Sequence, residues 1–250
     1  MRTRLPWLLV STLLAIAAAV WAAPPPGSGI RDTLHDFSSR GGGVGLCTFC
    51  HTPHRGISTR LLWNHTLSTA TYTWQDVDET IGGTKLPTIT QEWTGPSKFC
   101  LSCHDGSVAI GDVNWWRSAK PAPLATEKHT WPSPVNVGAT GGILSNMSGN
   151  HPVAFPYPYQ QQKSTYNDVT TGDNVIVSEF VTDPTVNKIR LFNNPGGNVV
   201  VAGAVPGKTG IECSSCHDPH NGPTVEDNFF IRGRLRGNTL PYICLKCHSK

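Results

Sequence analysis

The sequence is poor in charged residues, in methionine and in long apolar runs. Only 15% of its 250 residues are Asp, Glu, Lys or Arg, and the formal net charge is +3. No stretch combines clustered basic residues with aromatic ones, so the sequence gives no support to nucleic-acid binding. Apart from Met1, the only methionine is Met147. A set of metal sites that each use a methionine thioether is therefore excluded.

The single long apolar run lies at the N-terminus. Arg4 directly precedes a largely apolar run of 16 residues, Leu5 to Val20, Arg2 lies two residues earlier, and Ala22 supplies a small residue after the run. This order is typical of a secretory signal peptide. A retained membrane anchor is less favoured, because a span needs about 20 residues. We expect residues 1–22 to be a signal peptide, residues 23–250 to be exported, and no membrane span to remain after cleavage.

Cysteine occurs only in one motif, which is present four times. Each copy has two cysteines separated by two residues and followed by a histidine. This is the attachment signature of c-type haem, in which two thiols bond covalently to the haem and the histidine is the proximal iron ligand. The cysteines are Cys47, Cys50, Cys100, Cys103, Cys213, Cys216, Cys244 and Cys247, and the histidines are His51, His104, His217 and His248.

Chance, zinc binding and disulfide pairing account for the motif less well. With 10 histidines in 250 residues, four trailing histidines would arise by chance in roughly a few cases per million. Paired zinc sites use CxxC pairs about 15 to 20 residues apart, whereas 27 residues separate Cys216 from Cys244. Disulfides suit an exported chain but account for neither the spacing nor the histidines. We therefore predict four covalent haem c groups.

The remaining histidines include candidates for the distal iron ligands. His54 and His220 each stand three residues after a proximal histidine, in the first and third motifs (CxxCHxPH). Each lies on the proximal side of its own haem, so we expect each to bind a neighbouring haem. His65, His151 and His35 are further candidates.

His129 has no support from the repeat and is expected to be structural or exposed. Because only one internal methionine exists, at least three haems should have two histidine ligands, which is typical of low reduction potentials.

The motifs alternate between two types. The first and third are CxxCHxPH, whereas the second and fourth have an apolar residue before CLxCH. We expect a single domain with haem pairs in 47–104 and 213–248, joined by a middle segment, 105–212. In that segment 174–181, 188–192 and 198–202 are rich in β-branched residues and are separated by turn signals. They predict a small antiparallel hairpin or sheet.

The chain is too short to enclose four haems and also to build a large core of its own. We expect the haems to form the core of a loop-rich multihaem cytochrome c fold with short helices. A holoprotein with up to eight haem propionates should be acidic, because the chain without Arg2 and Arg4 has a net charge of only +1.

Seven motifs follow one another in a fixed order along the chain. They are HDFS at 35–38, CTFCHTPH at 47–54, LWNH at 62–65, CLSCHDGS at 100–107, HPV at 151–153, CSSCHDPHN at 213–221 and CLKCH at 244–248. This series resembles the outer-membrane cytochrome E family of tetrahaem extracellular cytochromes, which polymerise into conductive filaments, or nanowires. The resemblance implies a continuous row of haems along a homopolymer and one distal histidine supplied across the subunit boundary, for which His35 is the matching residue.

Three functions are compatible with a chain that carries several haems. The first is electron transfer in an extracellular or cell-surface filament, with redox proteins or extracellular acceptors as partners. The second is a soluble periplasmic electron shuttle. The third is a multihaem oxidoreductase, which needs an iron with an open coordination position. The third is disfavoured because the distal candidates outnumber the irons and no CxxCK motif occurs. We therefore do not expect an enzyme.

Overall fold

Most of the chain that the structure describes is irregular. The computed structural model describes residues 24–39, 45–57, 61–74, 80, 82–115, 146–148, 150–234 and 242–249. The predicted signal peptide and His129 lie outside these residues. With 25 glycines and 20 prolines, few stretches can support a long helix. Helix α1 spans Pro96–His104 and α2 spans Cys213–Cys216. Among the described helices, none has the length and apolar character that a membrane span requires.

The strands are short and antiparallel. The strands are β1 Phe155–Pro156, β2 Thr165–Tyr166, β3 Val169–Thr170, β4 Phe192–Gly196, β5 Val199–Ala202 and β6 Thr209–Ile211, and the 3-10 helices are Tyr159–Gln161, Val177–Glu179, Pro184–Asn187 and Ile243–Lys246. One sheet has the strand order β1-β6-β4-β5, and the hairpin β2-β3 forms a second. A left-handed residue, Lys188, ends the 3-10 helix that precedes β4.

The expected loop-rich fold with short helices and small antiparallel sheets is confirmed, but two of the three expected strands are wrong. Segment 188–192 enters a strand only at Phe192. Of the expected turn at 194–197, the first three residues lie inside β4, where the register shifts, and Gly197 lies in the turn that leads to β5. Segment 174–181 contains a 3-10 helix. Its last residue, Val181, instead pairs with the C-terminal segment, since the Val181 amide donates to the Cys247 carbonyl at 2.9 Å.

The largest apolar core lies between α1, the sheet and the loops of 70–93. The loops and the strands contribute its aromatic side chains and α1 contributes Leu101, so a few large rings fill the space that longer elements would otherwise occupy. Met147 is packed within this core. The cluster consists of Tyr72, Trp74, Ile89, Trp93, Leu101, Met147, Ala154, Tyr166, Phe192 and Val200.

Candidate haem sites

Each CxxCH motif folds as one tight helical turn. In three motifs the amide of the histidine donates to the carbonyl of the first cysteine, at 2.8 Å for His51, 3.0 Å for His217 and 2.9 Å for His248. The second motif lies inside α1, which begins with Pro96, a residue that suits the first position of a helix. The turn therefore brings both thiols and the proximal imidazole of each motif close together.

The first and third motifs share a backbone frame that extends well beyond the motif. His51 forms an isolated antiparallel bridge with Trp63, and His217 forms one with Ile231. In each case the amide after the histidine and the carbonyl of the second cysteine also bond to the returning chain. The four bonds are Thr52 N to Leu62 O at 2.8 Å, Asn64 N to Cys50 O at 2.9 Å, Asp218 N to Phe230 O at 2.7 Å and Arg232 N to Cys216 O at 2.8 Å.

The returning chain in both motifs contains two consecutive left-handed residues. Leu61–Leu62 have φ of 57° and 50°, and Phe229–Phe230 have φ of 59° and 60°. This turn directs a backbone carbonyl at the proximal ring, so His51 Nδ1 lies 2.5 Å from the Leu61 carbonyl and His217 Nδ1 lies 2.8 Å from the Phe229 carbonyl. An N–H on Nδ1 fixes the ring and leaves Nε2 as the nitrogen that can bind a metal.

Three distal candidates face three different proximal histidines. Two metal–imidazole bonds of about 2.0–2.1 Å, together with the distance from each ring centre to its nitrogen, give roughly 6 Å between ring centres. The three observed pairs have ring-centre spacings that match this value. The ring centres are 6.0 Å apart for His35 and His104, 6.1 Å for His51 and His220, and 6.4 Å for His151 and His248.

The other two distal candidates are placed differently. His54 is exposed and, among the described residues, makes no ring contact with a proximal histidine. His65 is buried, with Nδ1 at 2.7 Å from the Thr66 carbonyl and Nε2 at 2.9 Å from the Ala109 carbonyl. Both nitrogens of His65 thus already face acceptors. His217 is the one proximal histidine that the structure does not place opposite a distal candidate.

Cysteine thiols of consecutive motifs lie close enough to shift one another's pKa. Burial and then the nearby Cys50 raise the pKa of the Cys103 thiol, which joins the first motif to the second. A hydrogen bond from the thiol of one motif to the next raises the pKa of Cys100 and lowers that of Cys213.

The third and fourth motifs are joined in the same way. Burial raises the pKa of Cys216 to about 11, and nearby thiols that include Cys244 add to the shift. Burial likewise raises the pKa of Cys247 to about 12, and nearby thiols that include Cys216 add to it. Such buried positions suit a thioether link to an apolar macrocycle, because they disfavour a charged thiolate.

A pair of reciprocal hydrogen bonds fixes the second motif against the third. The amide of Ser97, in the first turn of α1, donates to the Glu212 carboxylate at 3.1 Å, and the amide of Cys213 donates to the Ser97 hydroxyl at 2.9 Å. The Tyr166 hydroxyl also donates to Glu212, at 2.7 Å. Burial raises the pKa of Glu212 to about 7. Each motif therefore supplies an acceptor to the helix of the other.

The sequence analysis did not identify Glu212, Ser97 or the paired left-handed turns as parts of the site. Glu212 immediately precedes a haem motif, which was an available signal, but Ser97 lies 115 residues away from it. The turns are marked only by apolar pairs, Leu61–Leu62 and Phe229–Phe230. Leucine and phenylalanine are not residues that favour a positive φ, so composition pointed away from this conformation.

The comparison with curated proteins agrees with a haem-binding role for these motifs. No family model matches the chain. The chain is 24% identical over 235 residues to C-type cytochrome OmcS of Geobacter sulfurreducens, an alignment that covers 93% of this chain and 42% of that protein. The chain thus spans less than half the length of that relative. It is similar to a c-type cytochrome, and its four CxxCH motifs carry the chemistry that this similarity implies.

Proposed function

We propose that the protein transfers electrons through four covalently bound haem c groups, each held by a proximal and a distal histidine. The observation that carries this proposal is the set of three histidine pairs with ring centres 6.0 to 6.4 Å apart. When bound, a haem supplies a one-electron Fe(II)/Fe(III) couple. Two imidazoles per iron leave no position for a substrate, which favours electron transfer over catalysis.

From the pairs we assign three distal ligands. His220 belongs to the third motif and faces His51 of the first, as expected if each CxxCHxPH histidine binds a neighbouring haem. By the same repeat we assign His54 to the iron of His217. His65 becomes the spare candidate, because both of its ring nitrogens already lie near backbone carbonyls.

The residues around the motifs orient the proximal ligands. Backbone carbonyls accept from Nδ1 of His51 and His217, which makes each imidazole a more basic ligand and favours the ferric iron. With two histidine ligands and no methionine ligand on the iron, low reduction potentials are expected. The adjacency of consecutive motifs supports a path for electrons from the first haem to the fourth.

The resemblance extends the proposal to an exported subunit of an extracellular filament. In one chain His35 already faces His104 at 6.0 Å, so we assign His35 to the second iron of its own chain rather than to a neighbouring subunit. Exchange of the N-terminal segment between neighbouring chains would preserve the same ligand contact. A periplasmic shuttle would use the same four sites without assembly.

Carbon monoxide binding to the reduced holoprotein tests the ligand assignment. The unaltered protein should contain four haems per chain by pyridine haemochrome, give low-spin spectra and bind no carbon monoxide. His35→Ala, His151→Ala and His220→Ala should each open one haem in four, whereas the matched variant His65→Ala should open none. Carbon monoxide binding by the unaltered protein, or no binding by any of the three variants at His35, His151 and His220, would contradict the proposal.

Assembly needs a separate measurement. Electron microscopy of the secreted fraction should show regular filaments that contain this chain if the filament form is right. Dispersed monomers, with all four haems still low-spin, would favour the periplasmic shuttle and would leave the ligand assignment intact.

A further inference from the structure

The N-terminal segment that carries His35 is tied to one side chain, that of Asn221. Asn221 Oδ1 accepts from the Gly27 amide at 2.9 Å, and its own carbonyl accepts from the Gly29 amide at 2.9 Å. Its Nδ2 group donates toward the Pro25 carbonyl at 3.2 Å, the Ser28 hydroxyl at 3.3 Å and the Gly29 carbonyl at 3.0 Å. One residue therefore organises the turn that leads into 30–37.

Asn221 is well suited to this task. It is only 4% exposed, so water competes little for its amide. Its backbone has φ of 50°, a left-handed conformation that asparagine tolerates better than most residues. The amide group offers both an acceptor and donors, and the structure uses all of them on residues about 190 positions away.

The segment then places the His35 ring against Phe230 and Pro219. The ring stacks on Phe230 with centres 4.7 Å apart and planes inclined by 7°, and its Nδ1 lies 3.2 Å from the Pro219 carbonyl. His104 lies on another side, 6.0 Å from His35 between ring centres. A segment released from the Asn221 side chain would lose the hydrogen bonds that fix the approach of the chain to His35.

We propose that Asn221 is a positioning residue for the distal ligand of the second haem: its side chain fixes the segment 24–37 so that His35 stays opposite His104. The inference rests on the proposed function, since it needs His35 to be an iron ligand. Asn221 touches no iron and acts only through His35. Asn221 directly follows His220, which we assign as the distal ligand of a different haem.

The test uses the full haem-loaded protein and the variant Asn221→Gly. Glycine keeps the left-handed backbone and removes every side-chain hydrogen bond. Asn167→Gly is the matched control, because Asn167 is also left-handed, with φ of 48°, is 8% exposed and donates to the distant Thr88 carbonyl at 2.9 Å. The readouts are carbon monoxide bound per haem, the high-spin signal, and recovery of the low-spin spectrum with added imidazole.

For Asn221→Gly we expect carbon monoxide binding to rise from none toward one haem in four, with imidazole reversing the change. His35→Ala should open the same haem, so the double variant should open one haem and not two. Asn167→Gly should remain low-spin. The proposal is overturned if Asn221→Gly stays closed while His35→Ala opens a haem, or if the double variant opens two, which would indicate an effect through His220.

The failure of the ligand assignment would look different. If His35→Ala itself opens no haem, His35 is not an iron ligand. The proposed function then loses that assignment, and the role of Asn221 is overturned with it. If Asn167→Gly opens a haem as well, the loss of any buried asparagine is sufficient, and the specific role of Asn221 is contradicted.

Discussion

Replacement of Glu212 by glutamine should remove a large part of the pH dependence of stability. The carboxyl is fully buried, accepts hydrogen bonds from Tyr166 and Ser97, and forms no ion pair with a Lys or Arg among the described residues. Burial raises its pKa from 4.5 to about 7. A shift of this size corresponds to about 3 kcal/mol of stability.

The sign follows from the protons bound in each state. Between pH 4.5 and about 7 the folded protein keeps the Glu212 proton, whereas the unfolded chain has lost it. The contribution to stability is therefore fully present below pH 4.5 and is lost as the pH rises through about 7. The unaltered holoprotein should be less stable at pH 8 than at pH 5, and Glu212→Gln should be more stable than the unaltered protein at pH 8 by up to about 3 kcal/mol.

Urea unfolding of the holoprotein between pH 5 and pH 8 measures this difference in the free energy of unfolding. Glu226→Gln is an informative control with the opposite sign. Burial alone would raise the pKa of Glu226, but hydrogen bonds from Lys246 and Lys188 lower it, so its contribution is present at neutral pH and is lost on acidification. If Glu212→Gln and the unaltered protein show the same pH dependence, the carboxyl is not held protonated and the reasoning fails.

Two further predictions concern the backbone of the sites. Gly95→Ala should lower the thermal midpoint by the equivalent of about 2 kcal/mol, because an added Cβ would lie 2.3 Å from both Glu212 Oε1 and Trp93 Nε1; an unchanged midpoint by calorimetry would contradict this packing. Leu61→Pro should raise one of the four reduction potentials in a potentiometric titration, because proline cannot adopt φ of 57° and the carbonyl bonded to His51 would be displaced. Leu61→Gly keeps the turn and should leave the potentials unchanged, so a similar shift in both variants would exclude the carbonyl as the cause.

The haem-anchoring residues remain a prediction from the sequence, and it is a specific one because covalent attachment requires fixed spacing. Two thiols and an imidazole must lie on one turn, so all twelve motif positions are visible in the sequence itself. The distal histidines obey no such rule, because a distal ligand can come from any part of the chain that reaches the far face of the haem. Repetition made His54 and His220 candidates, but only the fold brings His220 to His51 and leaves His54 apart.

The strands were harder to predict because tertiary contacts override weak β propensity. Residues 174–181 have β-branched side chains, yet the C-terminal segment takes their backbone bonds, including Ser249 N to the Glu179 carbonyl at 2.8 Å. That segment contains the fourth haem motif. Backbone pairing with the segment of the fourth CxxCH motif, rather than local preference, therefore accounts for the conformation of a segment about 70 residues away.

The paired left-handed turns indicate that the repeat is a structural unit larger than CxxCHxPH. The carbonyl that accepts from the proximal ring lies 10 residues after His51 but 12 residues after His217, so an alignment of the two motifs without a gap cannot find it. A left-handed conformation costs roughly 1–2 kcal/mol per residue, and each turn contains two such residues with leucine or phenylalanine side chains. Their shared placement at two sites is best accounted for by a common benefit: the turn delivers a carbonyl to Nδ1, which orients Nε2 for the iron. The strain should then persist only where the imidazole and its metal stabilise the turn.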